Sequence, residues 1–334
     1  MLFITSRIPN EGAKKVFEGK REVSFDAQNT EVSSRLYFCE RTGENDYQEI
    51  GSAALFEALK CLDQNPEKPF NETQILLYIH GFNNLPESDI FPNAQQLEAR
   101  LNNTDKGKLV KVIPIIWPCD DDYTLAFMDD YWDDAKASTA TGIVMSRLLE
   151  RFDKWRKDQQ QLDAPCYKRI NILAHSMGNN VLQHAIKSYA DNRGQEVERL
   201  FHNIFMVAAD VKNETLEQNE VGQAIPYMTR NVVVYYANDD LAMPASKVAN
   251  VRHKQVSRRL GMTGPENLHI TPRNVIEVDC DEFNNSLDNP KGHSYYIGTE
   301  TCISPCIEHM AMAIATGRVK HEHRRYVLAR PDGL

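Results

Sequence analysis

The chain has 334 residues, 42% of them hydrophobic, enough to bury a large core in a single α/β domain, 1–334, carrying insertions. Its net charge of −9 argues against nucleic acid as substrate or partner, because phosphate binding needs clustered Lys and Arg. No run approaches the roughly 18 apolar residues of a membrane helix. The seven scattered cysteines, with no Cys-x-x-Cys pair, read as the reduced thiols of a cytoplasmic protein.

Eight strands are predicted in chain order. Leu2–Thr5 and Arg35–Cys39 come first, and the turn-rich stretch from Gly43 to Gly51 reads as antiparallel strands at one edge of a sheet. Gln74–Ile79 is a continuous apolar run, as expected of a strand buried on both faces, and it ends in His80-Gly81-Phe82-Asn83. Val110–Ile116 leads to Trp117-Pro118-Cys119 and then to a crowd of acids: Asp120, Asp121, Asp122, Asp129, Asp130, Asp133 and Asp134. These read as a solvated loop and the acidic first turn of a helix beginning near Asp133, favoured by the helix dipole. A metal or selectivity patch at a site entrance is the sharper alternative.

The most informative segment follows. Arg169–Ala174 runs into His175-Ser176-Met177-Gly178, and a helical pattern continues from Asn179 to Tyr189. A serine between small residues at a strand-to-helix turn is the layout of a nucleophile elbow, which holds the hydroxyl up at the carboxyl end of a sheet. Ala174 and Gly178 supply the small flanks that a strained turn requires. Strands Ile204–Ala208, Asn231–Tyr236 and Val275–Val278 complete the eight, with helical patterns between them, which matches a mostly parallel sheet flanked by helices.

Nucleophilic serines of this layout take an acid and then a histidine later in the chain. Asp239 and Asp240 both follow the strand Asn231–Tyr236, on the rim that carries Ser176, and Asp210 after Ile204–Ala208 is a third carboxylate. The loop beyond the last strand holds His293, where a general base belongs; His175 sits in the elbow, His184 on the next helix, and His321 and His323 in a basic tail from Arg318 to Arg330.

These segments resemble an α/β-hydrolase, and most of all a bacterial branch catalogued as a domain of unknown function. The resemblance is carried by Phe3-Ile4-Thr5-Ser6-Arg7, Tyr78-Ile79-His80-Gly81-Phe82-Asn83, Ile116-Trp117-Pro118 and Asp134-Ala135-Lys136-Ala137-Ser138. It continues through Ala174-His175-Ser176-Met177-Gly178, Ala208-Ala209-Asp210, Asp240-Leu241-Ala242-Met243 and His293-Ser294-Tyr295-Tyr296. The branch usually has Trp-Pro-Ser where this chain has Trp117-Pro118-Cys119, a difference in the loop above the site. The resemblance implies Ser176 as nucleophile, His293 as base and Asp240 as acid. It also implies an oxyanion hole formed by the backbone amides of Phe82 and Met177, supported by His80, Gly81, His175 and Gly178, with no metal and no cofactor.

The implied reaction is hydrolysis of a small-molecule ester through an acyl-enzyme; the same residues would serve a thioesterase, lipase or acyltransferase, or remain in a non-catalytic binding protein. Residues 118–130, 211–229 and 243–272 are the candidate cap segments, with Tyr123, Phe127, Tyr227 and Leu260 as apolar pocket residues suited to an ester of modest size.

Overall fold

Apolar runs without polar alternation become central parallel strands, because both of their faces must be covered. A computed structural model describes residues 1–14, 19–62, 73–104, 109–119, 127–160, 168–194, 196–241, 258–319 and 323–331. Its strands are β1 (Leu2–Arg7), β2 (Arg21–Val23), β3 (Val32–Gly43), β4 (Asp46–Glu49), β5 (Gln74–Ile79), β6 (Val110–Ile116), β7 (Ile170–His175), β8 (Phe201–Val207), β9 (Thr229–Tyr236), β10 (Val275–Asp279) and β11 (Arg325–Val327). They form one sheet in the order β11-β10-β9-β8-β7-β5-β6-β1-β3-β4-β2. The sheet is parallel from β11 to β1, and β3, β4 and β2 continue it antiparallel.

Alternate side chains of each central strand enter opposite cores. Ile75, Leu77 and Ile79 of β5 join one, beneath α1 (Gly51–Lys60), α3 (Phe127–Gln160) and α4 (Gly178–Asn192). Leu76 and Tyr78 join the other, beneath α2 (Phe91–Thr104) and α5 (Pro305–Thr316). Helices α3 and α4 meet closely at Gly142, where a Cβ would fall 2.7 Å from the Val181 carbonyl oxygen. No helix of the described residues is long and apolar enough to cross a membrane.

The sheet has three strands beyond the eight expected. One, β4, falls in the stretch from Gly43 to Gly51 expected to form antiparallel edge strands; β2 lies in the same edge, and β11 comes from the basic tail. Within that tail, Arg325 pairs with the buried Glu277 of β10, and Arg324 donates to the carbonyls of Pro272 and Val275. Helix α3 starts at Phe127, six residues before the expected start near Asp133. Asp133 is exposed and pairs with Lys136 at 2.7 Å, whereas Asp134 is buried rather than solvated. Asp120, Asp121, Asp122 and Tyr123 lie outside the described residues, as do the side chains of Asp129, Asp130 and Phe127.

Candidate active site

The β7–α4 turn builds the site. Ser176 has φ +52°, in the left-handed region that a non-glycine residue occupies only at a cost. The turn is braced from three sides. The Ser176 N–H donates to the Val207 carbonyl of β8 at 3.0 Å, and the Ser176 carbonyl accepts the Asp210 N–H at 3.2 Å. The buried amide of Asn179 donates to Ala174 O at 2.9 Å and Ser176 O at 3.1 Å. Gly178 is required by space: a Cβ there would sit 2.5 Å from the His80 carbonyl oxygen and 2.6 Å from that of Ile79.

His80-Gly81-Phe82 packs directly on this turn, since a Cβ on Gly81 would meet the Ser176 Cβ at 3.0 Å. His80 is fully buried, its ring stacked on the Trp117 indole at 5.0 Å and 5°. Its Nε2 accepts the Trp117 N–H at 3.1 Å, which leaves the proton on Nδ1 to be donated to the Gly81 carbonyl at 2.8 Å. Burial pushes its pKa down to about 3, so the ring is neutral. The Gly81 carbonyl shares a peptide plane with the Phe82 N–H, so His80 sets the direction of that amide. Met177 opens α4 with φ −62° and ψ −17°, and its N–H belongs to the end of the helix where amides have no intrahelical acceptor. Cys119, the departure from Trp-Pro-Ser, is buried and donates its thiol to the Asn84 carbonyl at 3.2 Å.

The acid and histidine loops meet above the sheet. His293 Nδ1 lies 2.6 Å from Asp240 Oδ2, with the Asp240 side chain wholly buried and that of His293 14% exposed. Asp239 points elsewhere and accepts the amides of Asn284, at 2.6 Å, and Asn285. Asp210 faces Arg259, with Nε 3.1 Å from Oδ1. Of the three carboxylates, Asp240 is therefore the one on the histidine. The Leu241 N–H donates to the Lys291 carbonyl at 2.8 Å, tying the two loops together.

His293 meets the elbow at His175. The two rings are 4.8 Å apart, and His175 Nε2 lies 3.3 Å from the His293 carbonyl oxygen. Burial holds His175 well below its usual pKa, with the nearby His293 adding to the effect. Tyr295 and Tyr296 are buried and anchor the loop, the Tyr296 hydroxyl reaching that of Tyr78 at 3.1 Å.

Two side chains beyond the expected set shape the site. Asp288 accepts the backbone N–H groups of His293 at 2.8 Å and Ser294 at 2.6 Å, and Asn179 braces the serine turn. The only sequence signal for Asp288 is its place before Asn289-Pro290-Lys291-Gly292. Two expected pocket residues are elsewhere: Leu260 is buried in the core and Tyr227 is 61% exposed. The candidate cap 211–229 does border a cavity of about 580 Å³ beside Met177, through Val211, Thr215 and Glu220. Half of 243–272, from 243 to 257, lies outside the described residues.

The alpha/beta hydrolase family of unknown function DUF900 matches residues 62–306, which hold every residue of this site. No curated protein matches the chain.

Proposed function

We propose that this chain, which belongs to the alpha/beta hydrolases of unknown function, is a serine hydrolase that cleaves a carboxylic ester through an acyl-enzyme. The observation that carries the reading is the 2.6 Å approach of His293 Nδ1 to the buried Asp240, beside a serine held at φ +52°. With its Nδ1–H given to Asp240, His293 keeps the Nε2 lone pair available to accept the serine proton.

His293 takes the Ser176 proton as the oxygen attacks the ester carbonyl, and Asp240 stabilises the imidazolium that forms. The amides of Phe82 and Met177 receive the negative charge on the carbonyl oxygen, one such donor being worth about 3 kcal/mol. The imidazolium then protonates the departing alkoxide, leaving the acyl group on Ser176. Water, deprotonated by His293, attacks that acyl group and releases the carboxylic acid, and Ser176 recovers its proton. The chain's own groups carry every step. The six described cysteines are free thiols, which suits residence in the reducing cytoplasm.

The test is a fluorophosphonate probe applied to the purified protein, with the adduct located by mass spectrometry. Labelling is expected on Ser176 and is expected to vanish in His293→Ala. Ser176→Ala should lose several powers of ten in ester turnover, and Asp240→Asn roughly 10⁴-fold. A folded protein that takes no label, or a Ser176→Ala variant as active as the parent, overturns the reading.

A further inference from the structure

The cavity beside Met177 has a buried cation on its wall. Arg259 lines it while only 7% exposed. Its Nε approaches Asp210 Oδ1 at 3.1 Å, yet the Nε–H finds no acceptor in hydrogen-bonding geometry. Among the described residues the Arg259 side chain makes no hydrogen bond at all, and Asp210 is its sole ion-pair partner. A guanidinium carries five N–H donors in a rigid plane, and leaving buried donors unmet costs stability. Two oxygens in one plane satisfy the fork, which is why guanidinium groups bind carboxylates in bidentate fashion.

The placement of Arg259 is fixed relative to the serine. Its backbone pairs antiparallel with Lys212, and the next two residues donate to Val211 O and Ala209 O, each at 2.9 Å. Gly261 lies so close to that segment that a Cβ would fall 2.2 Å from the Ala209 nitrogen. The same segment donates the Asp210 N–H to the Ser176 carbonyl. Arg259 thus stands on a strand-like platform bonded to the elbow, and it borders the cavity that Met177 also borders.

We propose that Arg259 is a carboxylate-binding residue of the substrate pocket, so that the ester cleaved at Ser176 bears a free carboxylate. The proposal rests on the serine hydrolase reading given above. Lys212 lines the same cavity without an ion-pair partner among the described residues, while Lys136 is engaged by Asp133. Glu220 lines it too, so the preference arises from directed donors rather than from an excess of positive charge.

Calorimetric titration of a Ser176→Ala protein separates binding from turnover. The probes are 4-nitrophenyl hemisuccinate against neutral 4-nitrophenyl pentanoate, and O-acetyl-lactate against its methyl ester, which place the carboxylate on the acyl and alcohol sides in turn. At least one anionic member is expected to bind about tenfold or more tighter than its neutral counterpart. Adding Arg259→Met should abolish that preference. Adding Asp210→Asn as well leaves no unpaired buried charge and keeps the comparison meaningful if the single change unfolds the protein. Equal binding of charged and neutral esters, absence of binding by both anionic esters, or a preference that survives removal of Arg259, overturns the proposal. An Arg259-dependent preference in a protein whose Ser176 takes no fluorophosphonate would leave the subsite standing and remove the serine chemistry.

Discussion

The imidazole of His80 is caught between the Trp117 N–H and the Gly81 carbonyl, and each contact has a separate consequence. The first, at 3.1 Å, fixes the tautomer; the second, at 2.8 Å, turns the peptide that carries the Phe82 amide. An oxyanion donor acts only if it is aimed before the charge develops, since reorienting it during the reaction would consume the benefit. His80 is thus a positioning residue under the proposed mechanism, and its neutral state follows from burial that pushes its pKa to about 3. His80→Ala should lower kcat about ten- to a hundredfold while leaving KM near its original value, because a misdirected donor affects the transition state more than the bound ester. Steady-state kinetics on a chromogenic ester decide this. A rise in KM at constant kcat would mean that the His-Gly turn binds substrate instead of the oxyanion.

The β7–α4 turn shows how an element can be both legible and demanding. Its signal is local: an apolar strand, a serine between small residues, and a helical period directly after. Hence the sequence locates it within a residue, and Gly178 is indeed where two carbonyls of the β5 end come within 2.6 Å of a Cβ. Gly178→Ala should therefore force β5 and α4 apart, costing about 1–3 kcal/mol and lowering the melting temperature together with Ser176 labelling. Ala174→Gly, at the other flank, should retain the labelling. Equal tolerance of both changes would show that the approach at Gly178 is softer than these distances imply. Chain order offers candidates for the acid and the histidine, and it brings out the Asp240–His293 pair seen in the fold, but the choice between adjacent Asp240 and Asp239 rests on the resemblance, since neighbouring side chains diverge in ways that composition does not encode. Other features were hidden because their partners are remote. β11 is three residues long and is defined by pairing with β10 some 48 positions earlier. The approach of Arg259 to Asp210 likewise joins segments far apart in the chain. Leu260, placed in a cap by its loop context, goes to the core because Gly261 draws its segment against Ala208 and Ala209, just beyond β8.

Burial of imidazoles recurs through the molecule and couples its stability to pH. His80 is pushed down to about 3 and His202 to about 4, in both cases chiefly by burial, and burial also lowers His175 and His184. An unfolded chain takes up these protons below its ordinary histidine value of about 6.5, whereas the folded chain refuses them. The stability linked to neutral histidine is therefore complete above about pH 6.5 and is lost as the pH falls towards the folded values. For a wholly buried group such as His80 the limiting slope is about 1.4 kcal/mol per pH unit. Glu87, lowered by its bonds to Arg41 and Tyr47, acts in the same direction below the carboxylate range. Urea unfolding should accordingly show a midpoint that drops between pH 7 and pH 5 at constant slope in denaturant, and His80→Gln should flatten that drop by one proton. A midpoint unchanged over this interval would mean that the rings stay hydrated and protonate in place. The distinction bears on the chemistry, because the proposed base must also be neutral to accept the Ser176 proton. Loss of ester turnover at low pH must therefore be corrected for the unfolded fraction before it is assigned to the site.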